Sequence, residues 1–170
     1  MDTFLQDEKK EKGSNKILLA AIGIAVLIVA AIIGAWSLMP SVKEQKQQVL
    51  EGAVREGSSE FEALTKKIII INDAQNTMES PTGLGTITMF IRGNIRNIST
   101  DKTFTAIEVK ASVLDPKDKV IKEKMVAVVP TQKPTLAPQE VMPMNISIEG
   151  FAKDDDRARV QWKVTAIKIN

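Results

Sequence analysis

The chain has 170 residues, 23 basic and 21 acidic, a net charge of +2, and no His, Cys or Tyr. Without His it lacks the usual general base near neutral pH and the commonest metal ligand; without Cys it lacks thiol nucleophiles, disulfides, iron–sulfur clusters and most structural zinc sites. Its charges are interleaved and its five Phe and two Trp are scattered; nucleic-acid binders cluster basic side chains beside stacking aromatics, so no nucleic acid and no cofactor is expected.

The first sixteen residues, MDTFLQDEKKEKGSNK, hold four lysines and four acids with little to bury, and read as a polar cytoplasmic tail (1–16). From Ile17 to Met39 no charge interrupts an apolar run. About 20 such residues at about 1.5 Å each cross the roughly 30 Å hydrocarbon core of a bilayer, so 17–39 reads as a single transmembrane helix. A cleaved signal peptide is the alternative. Against it, the run exceeds the about 7–15 residues of a signal's apolar core, and Ile33-Gly34-Ala35 offers no clean cleavage site. Lys9, Lys10, Lys12 and Lys16 precede the run, whereas only Lys43 and Lys46 follow it closely. That bias predicts a chain anchored in the inner (cytoplasmic) membrane, its tail in the cytoplasm and its C-terminal domain exported, in a bacterium to the periplasm. Trp36 fits an interfacial anchor at the outer end, and Pro40 ends the helix there.

Small residues recur four apart within the run: Ala21 and Ala25, Ala30 and Gly34, Ala31 and Ala35. That spacing is expected to put them on one helix face, where a second membrane helix could approach closely. Frequent alanine and glycine in membrane helices would give the same pattern without a partner. Residues 40–62 read as a juxtamembrane linker, with a polar helix from about Ser41 to Arg55 and a flexible joint at Gly57-Ser58-Ser59. Sustained heptads are absent, so no coiled coil is expected.

From Ala63 the period changes to two. Lys66 to Asn72 is a β-branched run suited to a buried strand. Ile87, Met89, Ile91 and Ile95 alternate with polar or outward residues; so do Ile107, Val109, Ala111 and Val113. Val120 to Val129, Met142 to Ile148 and Val160 to Ala166 supply three more runs. Turn residues separate them at Ser80–Gly83, Asn97–Lys102, Asp115–Asp118, Pro130–Pro138 and Gly150–Asp156. The expected fold is therefore mainly β: residues 63–170 form an immunoglobulin-like antiparallel β-sandwich behind a single transmembrane helix and a juxtamembrane helix.

Gly93-Asn94-Ile95-Arg96-Asn97-Ile98-Ser99 resembles the G-x-V-x-N-x-S strand of FxLYD-type domains and their late-embryogenesis-abundant relatives. The following strand, ending Val113-Leu114-Asp115, stands where that family has F-x-L-Y-D, and Leu136-Ala137-Pro138 resembles its L-x-P-G. The likeness covers roughly Ile87 to Ile169 and extends to bacterial single-pass proteins that carry such a domain after an N-terminal anchor. Ala111, Val113 and Leu114 replace the family's Phe, Leu and Tyr, and Gln139 replaces its Gly. The resemblance implies a sandwich with a non-catalytic role and brings no catalytic residues.

Several constellations invite sharper readings. Asp154-Asp155-Asp156 could suggest Ca²⁺, but three consecutive acids cannot all face one ion, and a solvated loop is expected. Asp115 and Asp118 read as turn formers. Gly83-x-Gly85 precedes a strand, whereas a phosphate loop opens a helix. Asn97-Ile98-Ser99 and Asn145-Ile146-Ser147 match glycosylation sequons, idle in a bacterium. Met89, Met125, Met142 and Met144 read as core filling or a soft binding face. Phe90 faces outward, and Phe104, out of phase with Ile107, is a second contact candidate.

Two functions remain. One is a non-catalytic accessory subunit of a larger membrane complex, for which a bioenergetic assembly would be a natural host, held by the bilayer and by other subunits and capped by the exported sandwich. The alternative is a free-standing tethered binding or stress-protection domain. An enzyme is not expected, because no nucleophile–base pair can be placed without His or Cys.

Overall fold

The computed structural model describes residues 14–37 and 48–170, with side chains in the first stretch from 20 to 34. The chain divides into two compact units, Met1–Glu44 and Gln45–Asn170. The described part of the first is one helix, α1 (Ser14–Ser37), of 24 residues. Among the described residues no helix is long and apolar enough to cross a membrane. The side chains described along α1 cover fewer than the about 20 residues a crossing needs, so the expected span rests on the sequence of Ile17–Met39 alone. The tail 1–13 and residues 38–47 lie outside the described residues.

The second unit runs β1 (Val54–Arg55), α2 (Ser59–Thr65), β2 (Ile68–Asn72), a 3-10 turn (Ala74–Asn76), β3 (Met78–Pro81), β4 (Ile87–Asn97), β5 (Phe104–Leu114), β6 (Val120–Ala127), α3 (Val128–Thr131), β7 (Val141–Phe151) and β8 (Arg159–Ile169). The architecture is mainly β, in two antiparallel sheets. One has the order β1-β8-β5-β6. The other is centred on β4, with β7 along one side and β2 and β3 end to end along the other. All six strand runs of the sequence become strands; β1 and β3 are additions.

Alternation fills the space between the sheets. Ile91, Ile95, Met144 and Ile146 come from the β4 sheet, and Ile107, Val109, Ala111, Val113 and Val164 from the other. Each large aliphatic side chain so buried contributes about 1.5–3 kcal/mol relative to exposure. Gly93 serves this packing: a Cβ there would lie 3.0 Å from the Ile71 carbonyl oxygen and 3.3 Å from the Trp162 ring. The indole thus covers the bare backbone, and its Nε1 donates to Asn72 Oδ1 at 3.2 Å.

Where the strict period of two fails, a β-bulge is the cause. Between Phe104 and Ala106 the β5–β8 register advances two residues on β5 and one on β8, so Phe104 turns into the core and is fully buried. The expectation that Phe104 marks a contact surface is overturned. A second bulge at Glu108/Val109 places the extra residue on β8. Val164 therefore faces the core, while Ala166 packs on the opposite face with Leu50 and Ala106. Met89, Met142 and Met144 are buried as core residues, but Met125 is exposed on β6.

Two further expectations change. The helix from Ser41 to Arg55 lies partly outside the described residues; within them, Val54–Arg55 is a strand paired with Ile167 and Ala166 of β8. The flexible joint is instead a helix start. Gly57 turns with φ +97°, Ser58 Oγ accepts the Phe61 N–H at 3.2 Å, and Glu60 and Glu62 sit in the first turn. Phe61 and Leu64 then enter the core, so residues placed in the 40–62 linker belong to the second unit. Lys66–Asn72 is an edge strand rather than a fully buried one: Ile68 is buried, while Ile69 and Ile71 are 43% and 54% exposed.

The turn after β4 is held by one buried amide. Asn97, fully buried, donates through Nδ2 to the carbonyls of Lys102 (2.7 Å), Ala137 (2.9 Å) and Leu136 (3.2 Å). Its Oδ1 accepts the Ser99 N–H (2.9 Å) and hydroxyl (2.6 Å). Beside it Gln139 stands in the left-handed region, φ +59°, and its Nε2 donates to the Ile98 and Ser99 carbonyls, each at 2.9 Å.

Replacing Asn97 by Ala strands several buried polar groups at about 1–3 kcal/mol each, so N97A is expected to lose at least about 3 kcal/mol in urea unfolding followed by fluorescence. Gln139→Gly relieves about 1–2 kcal/mol of left-handed strain but gives up two side-chain bonds. Gln139→Ala gives up the bonds and keeps the strain, and is expected to have the lower urea midpoint of the two.

Candidate interaction surfaces

On α1, Ala21, Ala25, Ala30, Ala31 and Gly34 are all exposed. At 3.6 residues per turn the pair Ala30/Gly34 lies about 180° round the helix from Ala21/Ala25, and Ala31/Ala35 falls between them. The expected single small-residue face is thus three separate short faces. A shallow apolar groove along α1, lined by Ile22, Ala25, Val26, Val29, Ala30 and Ile33, includes only two of the six candidates. The side chains of Ala35 and Trp36 lie outside the described residues.

Polar clusters in the second unit serve its loops. Asp155 Oδ2 accepts the Ala152 N–H at 2.7 Å, which commits the middle acid of the Asp154–Asp156 run to loop closure. Among the described residues no group of three or more acids is placed to hold a metal. Asp115 Oδ1 accepts the N–H groups of Lys117 and Lys119, and Asp118 adopts φ +64°, as a turn requires. Gly85, at φ +79°, turns the β3–β4 hairpin, and the Thr82 N–H reaches the Thr86 carbonyl at 2.8 Å. Of the two sequons, Asn97 has its amide fully engaged in the core, while Asn145 is exposed on β7.

Arg157 crosses one open side of the unit. Its Nε and Nη2 grip Glu79 at 2.9 and 3.0 Å, its Nη1 donates to the Ala152 carbonyl, and its guanidinium lies 5.6 Å from the Phe151 ring centre. The Glu79 carboxylate raises its already high pKa. A groove of about 450 Å³ beside it, lined by Thr77, Met89, Val113 and Val160, is therefore bridged by a closed ion pair rather than by a free charge. Glu108, buried on β5, accepts the Thr165 hydroxyl at 2.8 Å.

The outer face of the β4 sheet differs from these. Register aligns Ile69 with Arg96 and Val141, and Ile71 with Asn94 and Pro143. Further along, Arg92 lies beside Asn145, and Phe90 between Met78 and Ser147. Phe90 faces outward, as its phase requires, and is 42% exposed. Neither Arg92 nor Arg96 has an ion-pair partner among the described residues. A shallow hollow of about 300 Å³ between Met78, Phe90, Arg92 and Asn145 lies within the face.

The free edge of β7 is sealed by side chains. Gln132 donates through Nε2 to the Asn145 carbonyl (2.8 Å) and accepts the Asn145 N–H through Oε1 (3.0 Å), and Lys124 Nζ donates to the Ser147 carbonyl (2.7 Å). Pro143, two residues before, has no N–H to offer. Edge strands left bare invite further pairing, and these groups block it.

No family model matches this chain, and no curated protein matches it. Among solved structures it is similar to the ApaA protein of Bordetella pertussis, at 13% identity over 60% of this chain and 87% of that one, with a TM-score of 0.30. At that score the likeness carries no argument about fold or function.

The Glu140 carboxylate pairs with Lys133 and accepts the Ala137 N–H at 2.8 Å, which lowers its pKa below the ordinary 4.5. A depressed acid stabilises the fold above its unfolded pKa and loses that contribution as pH falls through the folded value. Glu140→Gln is therefore expected to be less stable than the parent chain at pH 7, with the difference shrinking below pH about 4.5. Urea midpoints across pH 3–7 check it.

Proposed function

We propose that this chain is a non-catalytic accessory subunit of a larger membrane complex, anchored by α1 and capped by an exported β-sandwich of immunoglobulin-like character. The observation that carries this reading is the uncharged apolar run Ile17–Met39, whose described side chains on α1 are all exposed. Ile22, Ile24, Val26, Leu27, Ile28, Val29, Ile32 and Ile33 point all round the helix and are 52–70% exposed. A helix that is apolar on every side needs burial, and lipid or neighbouring helices supply it. The apolar run Ile17–Met39 of the sequence, at about 1.5 Å per helical residue, is long enough for a bilayer core of about 30 Å. The lysine bias orients the anchor with its tail inside.

The FxLYD-like reading of the head draws support from where its motif residues sit. Gly93 makes room for Trp162, and Asn97 and Ser99 form the buried turn. The L-x-P segment supplies the Leu136 and Ala137 carbonyls that Asn97 binds. Gln139, at the position of the family's Gly, has the positive φ that glycine favours. Every motif residue thus has a packing or turn role and none a chemical one. The same resemblance favours the alternative, a tethered domain that works alone as a binder or stress protectant.

Gentle detergent extraction of the native membrane, followed by native-gel separation and mass spectrometry of the band, separates the two. We expect the chain in a large assembly at fixed stoichiometry. Migration alone, at its own mass plus detergent, overturns the subunit reading and leaves the tethered domain.

A further inference from the structure

We infer that the outer face of the β4 sheet docks a protein partner whose contact surface carries carboxylates opposite Arg92 and Arg96 and apolar side chains on either side of them. The inference deepens the subunit reading above and rests on it, because it assigns the surface through which the head meets its neighbour.

The distribution of exposed apolar side chains singles out this face. Among the described residues eight large ones are exposed beyond α1, and five of them, Ile69, Ile71, Met78, Phe90 and Val141, lie on it. Leu84, Val120 and Met125 are dispersed over the hairpin tip and β6. Single exposed apolar residues are ordinary, but five on one face, Met78 beside Phe90 and Ile69 and Ile71 across β4 from Val141, are not. The two arginines stand inside the group, in register with Val141 and Asn145; the carboxylate of Asp73, whose N–H donates to the Arg92 carbonyl, is taken by Asn76 Nδ2 at 3.1 and 2.9 Å. An unpaired guanidinium is a fork that matches a carboxylate with two parallel hydrogen bonds.

Composition decides among the possible occupants. Phe, Met and Arg are types enriched in protein–protein contacts, and the acid and the lysine beside this face, Asp73 and Lys124, are bound to Asn76 and to the Ser147 carbonyl. An anionic membrane surface is met by clusters of about 4–8 lysines or arginines, and this face has two. A second copy stacked face to face would bring arginine against arginine. Strand addition is also disfavoured, because Gln132 and Lys124 close the adjoining β7 edge.

Size fits a tethered contact. Three strands about 4.8 Å apart, over the seven residues from Phe90 to Arg96 at about 3.4 Å each, give a face on the order of 300 Å². That is less than the about 800 Å² per partner of a free-standing stable complex. Two molecules held in one membrane meet at a high effective concentration, so a smaller patch suffices.

The test places a photo-cross-linking amino acid at Ile71, at Val141 and, on the other sheet, at Val120 in the full chain, and irradiates intact native membranes. Ile71 and Val141 are expected to cross-link one and the same protein, next to Asp or Glu residues, and Val120 is not. Arg92→Glu combined with Arg96→Glu is expected to cut that yield about tenfold or more, with an unchanged urea midpoint because both side chains are exposed. Adducts only to lipid, only to a second copy, or equally from Val120 overturn the docking face. So does an unchanged yield in the arginine variant. Face-specific adducts from a chain that runs alone on the native gel sink the subunit reading and keep the docking face. The reverse pattern, a stable assembly without face-specific adducts, sinks the docking face alone.

Discussion

The Asn97 amide is the constraint around which the second unit is organised. It closes the β4–β5 turn through Lys102 and Ser99, and reaches 39 and 40 residues along the chain to Leu136 and Ala137. One side chain thereby fixes where β4 ends, where β5 begins and where the segment before β7 lies. Phe104 depends on the same arrangement: its N–H and carbonyl exchange bonds with the Leu136 carbonyl and N–H at 3.0 and 2.9 Å. A buried amide with both ends satisfied costs little; the same group with a partner missing is expensive. The geometry is therefore held as a unit, and Glu140 reinforces it by binding the Ala137 N–H.

Much of the fold was legible because a strand with one buried face writes its orientation as a period of two. β4 from Met89 onward and β7 as far as Ile148 follow that rule, and their inward residues were identifiable from the sequence. The rule cannot see a bulge, since an extra residue is visible only in the register with the partner strand. Phe104 was misassigned for that reason. Nor can it see strand position: four successive isoleucines look the same at the centre or the edge of a sheet, so the exposure of Ile69 and Ile71 was hidden. The helix after Gly57 did leave a trace, a serine before Glu-Phe-Glu with Leu three residues past the Phe, which reads as an N-cap and an apolar stripe.

The candidate surface was readable only in fragments. Phe90 was assigned outward by phase, but its neighbours across the sheet are set by register, which no local pattern carries. On α1 the four-residue spacing of small residues was real within each pair. It could not place the three pairs together, because their offsets, from Ala21 to Ala30 and from Ala30 to Ala31, are not whole numbers of turns and rotate them round the helix. The sealed β7 edge belongs to the same class. Gln132 and Asn145 are thirteen residues apart, and their pairing follows from the fold rather than from either residue's type.

The pairing of β1 with β8 has a temporal consequence. β8 follows every other described element in the chain, yet it lies between β1 and β5 in the sheet. During synthesis the β4 sheet can close as soon as β7 emerges, while β5 still has one bare side and β1 has no partner at all. The inward face of β5, with Ile107, Val109, Ala111 and Val113, then waits for its last neighbour. Completion of this unit is gated by the arrival of its final strand, and a chain arrested before Arg159 would present an open apolar sheet to whatever chaperone or protease reaches it first.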